Sequence, residues 1–450
     1  DGEALRRGAL RDVVRDVVAA TPATDVHTHL FPPSHGDLFL AGVDDLLTYH
    51  YLVSEMFMVA PASLTHGAFF AMPKAARADV VWKELFVERT PVSEACVGVL
   101  TTLRAFAECR PALDGPLAEA TLAPIRAFFR ASLEDRGAHA ARVFALAGVE
   151  RVVCTNVPFD AREASEFVGA SCCVDADASA FADAEGAPRD DAEAAMFANA
   201  LRVDALLAGD WAVVGDALEN RGLERSTAHA RAFLTAWARR YGAEYLMAST
   251  PADFRYGPAD APRKVGWPTA TSLVDDVLVP VARALNLPLA LKLGARRGMS
   301  PNLAPCGGGD GVVVADCAPL AELCRANPDV KFLATFLSRT NQHEACVLAQ
   351  KFRNLHLYGC WWYCNNPTIV SDITRMRLEL LGTAFTAQHS DCRVLEQLIY
   401  KWAHSRAEIA DALAGRYEKL VAAGFWLTRA HVERDAALLL GGSYRAFMAR

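Results

Sequence analysis

The chain has 450 residues, of which 52% are hydrophobic and 22% are charged, so it has ample material for a globular core. Its formal net charge of -7 argues against nucleic acid and acidic membranes as partners, because binding a polyanion requires a basic surface. Its 12 cysteines form no C-x-x-C pair, so we expect them to be reduced thiols. No apolar run is long enough to span a bilayer. We therefore expect a cytoplasmic enzyme that acts on a small molecule.

The first predicted elements lead to a pair of histidines. Residues 3–20 have the spacing of an amphipathic helix, and a short apolar run then leads into the sequence TDVHTHLFP at residues 24–32. His27 and His29 lie one residue apart at the end of this run, so on a strand both imidazoles would face one side and could bind one metal ion. An isolated H-x-H also recurs by chance, and a polar turn that leaves a strand is the alternative interpretation.

A helical region follows the histidine pair. Helix-type apolar spacing recurs at residues 44–57, 75–86 and 93–107, and prolines separate these segments. We therefore predict a helical insertion at about residues 37–135, in the loop after the first strand.

From residue 140 onward, predicted helices alternate with short β-prone runs. The predicted strands are 151–155, 202–204 (after a helix within 191–200), 245–249, 289–293, 330–336, 355–359 and 385–389. Together with the strand before His27 they make eight, which predicts a single α/β domain over residues 1–450, a closed (β/α)8 barrel with C-terminal helices from residue 394. An open doubly wound sheet is disfavoured because no glycine-rich phosphate loop follows the first strand.

Polar residues at the predicted strand ends suggest the chemistry, since the reacting groups of such a barrel lie at the carboxyl ends of its strands. Asp391, after the last strand, would face the two histidines and complete a metal site of two imidazoles and one carboxylate. Arg202, Lys292 and Arg393 suit an anionic substrate, because cationic side chains bind carboxylates strongly. The other polar and aromatic residues at these ends are Asn156, Ser249, Ser338, Trp361 and Trp362.

Several segments occur in an order that matches one known family. They are HYLVSEM (50–56), CTNVPFD (154–160), LRVDALL (201–207), LALKLGARR (289–297) with the GGGD that follows it, YGCWWYCNN (358–366) and HSDCR (389–393). In this order they resemble the His-Tyr, Thr-Asp-Asp-Pro, Arg-Pro-Asp, Leu-Gln-Leu-His-Ile-Gly-Ala, Gly-x-Trp-Trp-Phe and Thr-Asp-Ser-Arg blocks of uronate isomerases, the glucuronate isomerase branch of the amidohydrolase superfamily. The resemblance extends from about residue 24 to the final helices.

The resemblance implies an aldose–ketose isomerase of a hexuronate such as glucuronate or galacturonate. It implies His27, His29 and Asp391 as metal ligands, with Asp391 also moving a proton when the sugar ring opens. It implies further site residues: Arg202 and Arg393 for the substrate carboxylate and hydroxyls, Tyr51 as an acid or base at C2, His50 at the substrate, and Trp361 and Trp362 as pocket walls. The cofactor would be one divalent ion, zinc by first choice, with manganese or iron also suitable. The partner would be an acidic sugar, and we expect a homo-oligomer.

Two departures from the family pattern keep alternatives open. Lys292 stands where the family commonly has a histidine, and it could contact substrate, form a carbamylated bridge or pair with an acid. Asn156 and Val157 replace two acidic positions of another block. The alternatives are a hydrolase or decarboxylase of a small anion built on the same metal core, and a metal-binding homologue without activity. His389 shares a strand face with Asp391, which makes it a candidate to support the metal ligands.

Overall fold

The structure is a computed structural model that describes residues 5, 8–160, 163, 191–258 and 260–450. The first helix is Leu10–Ala20, so the start of the helix predicted at residues 3–20 lies largely outside the described residues. The polar stretch expected before the third strand also lies outside them, apart from Glu163.

Seven parallel strands form the main sheet. In chain order the strands are β1 (Ala23–Thr28), β2 (Val149–Asn156), β3 (Phe197–Arg202), β4 (Ala243–Ser249), β5 (Leu289–Leu293), β6 (Ala295–Arg296), β7 (Gly311–Val312), β8 (Phe332–Phe336) and β9 (Leu355–Leu357). Strands β6 and β7 form a small antiparallel hairpin, and the others lie side by side in the order β1, β2, β3, β4, β5, β8, β9. Neighbours that follow chain order indicate the α/β barrel predicted from the sequence.

The eighth position of the ring is irregular, so the strand predicted at 385–389 is wrong. Only Thr386 forms a parallel bridge, with Tyr358 after β9. Farther along, the Asp391 N–H donates to the His27 carbonyl at 3.2 Å. This segment therefore joins β9 to β1 and closes the ring without forming a ladder. Asp391 has a φ of 54°, and a residue in that left-handed region cannot continue a strand.

The boundary before β3 is also a correction. The helix predicted over 191–200 is Asp191–Met196, and the strand is Phe197–Arg202 where 202–204 was predicted. The sequence around residue 197 is rich in alanine, which favours helix. Pairing with β2 on one side and β4 on the other overrides that local preference.

Helices surround the sheet. Those between β1 and β2 are Val43–Leu47, His50–Val59, His66–Ala71, Lys74–Trp82, Glu94–Ala105, Arg110–Leu113, Leu122–Ser132 and Arg136–Ala147. Those from β3 to β9 are Asp204–Leu207, Trp211–Glu219, Thr227–Tyr241, Ala270–Leu273, Val279–Leu285, Ala318–Ala326 and Gln342–Lys351. The last are Pro367–Leu381, Gln397–Ala422, Arg429–Ala437 and Ser443–Met448. No helix in the described part of the chain is long and apolar enough to cross a membrane.

The barrel has a closed end and an open end. Its interior is a buried apolar cluster from the strands, which includes Val26, Tyr245 and Leu333. The helix Ser443–Met448 adds Tyr444 and Phe447 to this cluster. This helix closes the barrel at the amino-terminal ends of the strands, and we call that closed end the barrel floor. The carboxyl ends of the strands meet at the opposite end, the barrel mouth, where the predicted site residues lie.

Candidate active site

A bulge in β1 directs its histidines. Asp25 lies opposite Val152 and Thr28 lies opposite Cys154, so β1 has one more residue than β2 over this interval. Such a bulge turns neighbouring side chains toward the same side. Val26 therefore packs in the barrel interior, and the adjacent His27 still reaches the interior groups at the mouth.

The three predicted metal ligands come together at the mouth. The Nε2 atoms of His27 and His29 lie 3.0 Å and 3.4 Å from Oδ1 of Asp391. The ligand atoms of the three residues all lie within 4.8 Å of one another. Donors in a tetrahedral zinc site, with bonds of about 2.0–2.1 Å, lie roughly 3.3 Å apart. Two imidazoles and one carboxylate therefore fit one divalent ion and leave a fourth position open.

Thr155 determines the tautomer of His29. The Thr155 hydroxyl lies 3.1 Å from the Thr28 carbonyl and 2.9 Å from Nδ1 of His29. A hydroxyl has a single hydrogen, and a carbonyl can only accept, so that hydrogen goes to Thr28. The Nδ1–H of His29 must then donate to the Thr155 oxygen. This arrangement leaves the Nε2 lone pair of His29 free for a metal.

Lys292 pairs with two of the ligand atoms. Its buried Nζ donates to Asp391 Oδ1 at 2.9 Å and lies 2.6 Å from His27 Nε2. The ammonium also lies 4.7 Å above the ring of Trp361. Burial lowers the pKa of Lys292 to about 8, and the Asp391 carboxylate opposes this shift. Pairing with an acid is thus the interpretation of Lys292 that the contacts support.

Asp391 is strained and ionised. A non-glycine residue in the left-handed region costs about 1–3 kcal/mol, and such strain gathers at functional sites. Burial alone would raise the pKa of Asp391, but the Lys292 ammonium, together with the adjacent His27 and His29, holds it well below its usual range. All these contacts use Oδ1. Oδ2 accepts no hydrogen bond from the described residues.

Arg202 forms an ion pair with a neighbouring carboxylate, whereas Arg393 has none among the residues that the structure describes. Nε and Nη2 of Arg202 donate to one oxygen of Asp204, at 3.0 Å and 2.7 Å. Burial alone would lower the pKa of Arg202, but Asp204 raises it. Arg393 is exposed, and its guanidinium has no ion pair within the described ranges. Of these two arginines, Arg393 is therefore the more available to an anionic ligand.

Aromatic residues form one wall of the mouth. Trp361 and Trp362 are both buried and cluster with Tyr51. The ring of His50 lies 5.7 Å from that of Trp362, and burial together with Arg393 lowers the pKa of His50 to about 3. Burial raises the pKa of Tyr51 well above its usual value, so its phenol keeps its proton. The structure thus brings His50, Tyr51 and both tryptophans together at the mouth, where Trp361 contacts Lys292.

The remaining strand-end residues divide into structural and unpartnered groups. Ser338 accepts a hydrogen bond from the Thr340 N–H at 3.2 Å, which is a capping role. The backbone N–H of Ser249 donates to Asp204 at 2.9 Å. The Asn156 amide and both ring nitrogens of His389 are buried without a hydrogen-bond partner among the residues that the structure covers. His389 packs edge to face against His27, with ring centroids 5.1 Å apart.

Sequence reasoning missed several residues that support the site. Asp25 had a usable signal, because a carboxylate inside an apolar strand must find partners when it is buried. Asn365 and Lys401 had none, since an asparagine in a loop and a lysine in a helix normally face solvent. Glu163, whose pKa burial raises to about 7, accepts from the Val157 N–H at 2.7 Å.

Comparison with known proteins places this geometry in a family context. No protein-family model and no curated protein sequence matches the chain. A solved uronate isomerase from Bacillus halodurans is 37% identical to it, over 99% of this chain and 97% of that one, with a TM-score of 0.84. A uronate isomerase from Thermotoga maritima is 15% identical, over 99% and 98% of the two chains, with a TM-score of 0.67. A glucuronate isomerase from Caulobacter crescentus is 15% identical, over 98% and 96%, with a TM-score of 0.64. The last two are informative about the fold alone.

Proposed function

The chain belongs to the uronate isomerase family and is an isomerase, and we propose that it interconverts an aldose and a ketose form of a hexuronate in a metal-dependent reaction. Glucuronate and galacturonate are the proposed substrates. The observation that carries the proposal is the cluster of His27, His29 and Asp391 beside the uncommitted guanidinium of Arg393. A metal-ligand set next to a free cation suits a sugar that bears a carboxylate.

The two oxygens of Asp391 support a division of roles. Oδ1 receives the contacts from His27, His29 and Lys292, whereas Oδ2 is free of hydrogen bonds from the described chain. We assign Oδ2 to accept the proton of the C1 hydroxyl and to return it to the ring oxygen as the bond between C1 and that oxygen breaks. A divalent ion held by His27, His29 and Asp391, zinc by first choice and otherwise manganese or iron, would supply Lewis acidity toward a substrate oxygen.

Cations would hold the substrate carboxylate. We assign this contact first to Arg393, because its guanidinium has no competing partner in the described residues. Arg202 would bind hydroxyls or carboxylate with the nitrogen that Asp204 does not use. Lys292 would add positive charge from inside the barrel.

Proton transfer between C2 and C1 needs a group that donates a proton and a group that accepts one. Tyr51 is the candidate donor, and its buried hydroxyl has no hydrogen-bond partner in the described chain. Because its pKa is raised, the phenol starts with its proton and can donate it to C1 of the enediol. The C2 proton must leave first, and the neutral imidazole of His50, whose ring lies 4.3 Å from that of Tyr51, is the candidate to accept it. Trp361 and Trp362 would exclude water from this side of the pocket.

To test this activity, the purified, metal-loaded protein is incubated with a panel of hexuronates, and formation of the ketose product is followed by NMR. Neutral hexoses serve as the control substrates. We expect turnover of at least one hexuronate and none of the neutral sugars, and His27→Ala should lose bound metal and activity together. A folded, loaded protein that turns over no hexuronate would contradict the proposal, as would full metal retention in His27→Ala. The homo-oligomeric state and the cytoplasmic location remain predictions.

A further inference from the structure

Three buried side chains converge on Ser390, the residue directly before Asp391. The backbone N–H of Ser390 donates to the two oxygens of Asp25, at 3.0 Å and 3.2 Å. Its carbonyl accepts from Asn365 Nδ2 at 2.9 Å and from Lys401 Nζ at 2.8 Å. Both backbone groups of one residue are therefore held by side chains from three separate parts of the fold.

The charges of these side chains match the groups that they hold. The anionic Asp25 meets an N–H, and the cationic Lys401 meets a carbonyl, which makes both contacts charge-assisted hydrogen bonds. Asp25, Lys401 and Asn365 are 0%, 1% and 8% exposed, so water cannot readily replace any of them.

Two of the three side chains are themselves fixed by neighbours. The Trp402 indole N–H donates to Asp25 at 2.9 Å. The oxygen of Asn365 accepts from Gln388 Nε2 at 3.1 Å, which orients the amide so that its NH2 faces the backbone carbonyls. These contacts are therefore built into the fold.

Two of these side chains, Asn365 and Lys401, help to fix the peptide plane that leads into Asp391. Asp25 holds the peptide plane before it. The Ser390 carbonyl and the Asp391 N–H belong to one planar peptide unit. Asn365 and Lys401 hold its carbonyl, and the His27 carbonyl accepts its N–H at 3.2 Å. The φ angle of Asp391 measures the rotation about its N–Cα bond relative to this plane. Its value of 54° lies in a region that L-residues rarely adopt. Without the plane, the chain could relax to an ordinary φ and carry the carboxylate away from the histidines.

We propose that Asp25, Asn365 and Lys401 are positioning residues that hold Asp391 in its left-handed conformation and so preorganise the metal centre. This inference rests on the proposed role of Asp391 as a metal ligand. It extends that role to three residues that touch neither the ion nor the substrate. Partners of this kind typically change metal affinity by about 10- to 100-fold when they are removed.

The test compares matched pairs of variants from the mouth and the floor. Asn365→Ala is paired with Asn354→Ala, because Asn354 Nδ2 donates to three backbone carbonyls at 2.9–3.1 Å near the start of β9. Lys401→Met is paired with Lys331→Met, because Lys331 Nζ donates to the Met448 carbonyl at 2.6 Å. Each full-length variant is stripped of metal, its melting temperature is recorded, and Zn²⁺ is titrated against a chromophoric chelator.

We expect Asn365→Ala and Lys401→Met to weaken Zn²⁺ binding by about 10- to 100-fold. The control variants at the floor, Asn354→Ala and Lys331→Met, should lose thermal stability, but their Zn²⁺ affinity should stay within about twofold of that of the wild type. Wild-type affinity in a folded Asn365→Ala protein would overturn the inference, and so would an equal loss in Asn354→Ala. If Lys401→Met does not fold, the asparagine pair decides alone. A wild-type protein that binds no Zn²⁺ would overturn the proposed metal centre as well, whereas normal loading with unchanged variants would overturn only this inference.

Discussion

Some buried aromatic side chains at the barrel floor have hydrogen-bonded polar groups, whereas several at the barrel mouth have polar groups with no hydrogen bond in the described part of the chain. At the floor, the Tyr245 hydroxyl donates to the Val26 carbonyl at 2.7 Å and the Tyr444 hydroxyl donates to Glu244 at 2.8 Å. At the mouth, the Tyr51 hydroxyl, the Trp362 indole N–H and both ring nitrogens of His389 are buried without hydrogen bonds to the described residues. The floor therefore contributes to stability, and the mouth keeps donors and acceptors available for ligands.

Backbone strain follows the same division. Three non-glycine residues with a positive φ occur in the described chain, and two of them, Trp362 and Asp391, lie at the mouth. The third, Asn286, ends a helix, where the left-handed conformation is ordinary. Strain at the mouth has no such local explanation. It persists because the surrounding contacts stabilise it, which is the pattern expected of a functional site.

The largest effect should come from removing the charge of Asp391. Asp391→Asn keeps the shape and one oxygen but loses the basicity, so kcat on a hexuronate should fall by about 10² to 10⁴. The floor control is Glu244→Gln, which should leave kcat unchanged. A substrate that opens its ring more rapidly should recover part of the loss. Equal loss on both kinds of substrate, with metal bound, would place Asp391 at the C2 to C1 transfer instead, and normal activity would refute the site.

The next effect should come from the uncommitted cation at the mouth. Arg393→Met should lower kcat/KM, and the loss should correspond to about 2–3 kcal/mol of transition-state stabilisation, because one charged hydrogen bond to the substrate is removed. Its melting temperature should not change, since the guanidinium has no ion pair in the described structure. Arg202→Met should lower both kcat/KM and stability, because Asp204 loses its partner. Unchanged kinetics in both variants would contradict their assignment to the substrate anion.

A pair of glycines should show how tightly the mouth is packed. Gly359 and Gly242 have similar positive φ values, 65° and 57°, and Gly242 ends a helix in the left-handed conformation. A Cβ on Gly359 would lie 1.9 Å from Cδ2 of His389, whereas one on Gly242 would meet nothing within 4 Å. Gly242→Ala should cost about 1 kcal/mol of unfolding free energy from its conformation alone, and Gly359→Ala about 2 kcal/mol more.

A double-mutant cycle isolates the contact between Gly359 and His389. In a His389→Ala background, the clash is removed, and Gly359→Ala should cost no more than Gly242→Ala. Denaturant unfolding of the four proteins measures these differences. Equal costs for the two glycine substitutions in the wild-type background would show that His389 can move aside, and the mouth would then be looser than the contacts indicate.

The sequence predicted those features that depend on local pattern or on barrel geometry. Strand ends in a parallel barrel must meet, so His27, His29 and Asp391 could be placed together without coordinates. The eighth strand failed because the backbone directly after it, at Ser390, is held by side chains of Asp25, Asn365 and Lys401, which lie 365, 25 and 11 residues away along the chain. Their contacts with Ser390 depend on the whole fold and leave no periodic signal.

The β3 boundary failed for a related reason. The alanine-rich segment that includes Phe197 has a local preference for helix, and only pairing with β2 and β4 makes it a strand. Thr155 was likewise invisible as a partner of His29, because the contact joins neighbouring strands across the bulge of β1. Local pattern thus found the ligands, whereas the groups that orient them required the tertiary structure.

The smallest effect should come from Lys292, and it concerns competition at the metal centre. An imidazole nitrogen has one lone pair, so His27 Nε2 cannot serve both an ion and the Lys292 ammonium that now lies 2.6 Å away. Metal loading must therefore break this contact.

Lys292→Met fills a similar volume beside Trp361 and removes a cation next to the proposed ion, so Zn²⁺ affinity should rise by roughly tenfold. The same substitution should lower kcat/KM if Lys292 also attracts the substrate anion. Lys331→Met at the floor is the control, and its Zn²⁺ affinity should equal that of the wild type. Weaker Zn²⁺ binding by Lys292→Met would mean that Lys292 supports the ligands rather than competing with the ion, because the buried carboxylate of Asp391 then needs its ammonium partner to stay in place.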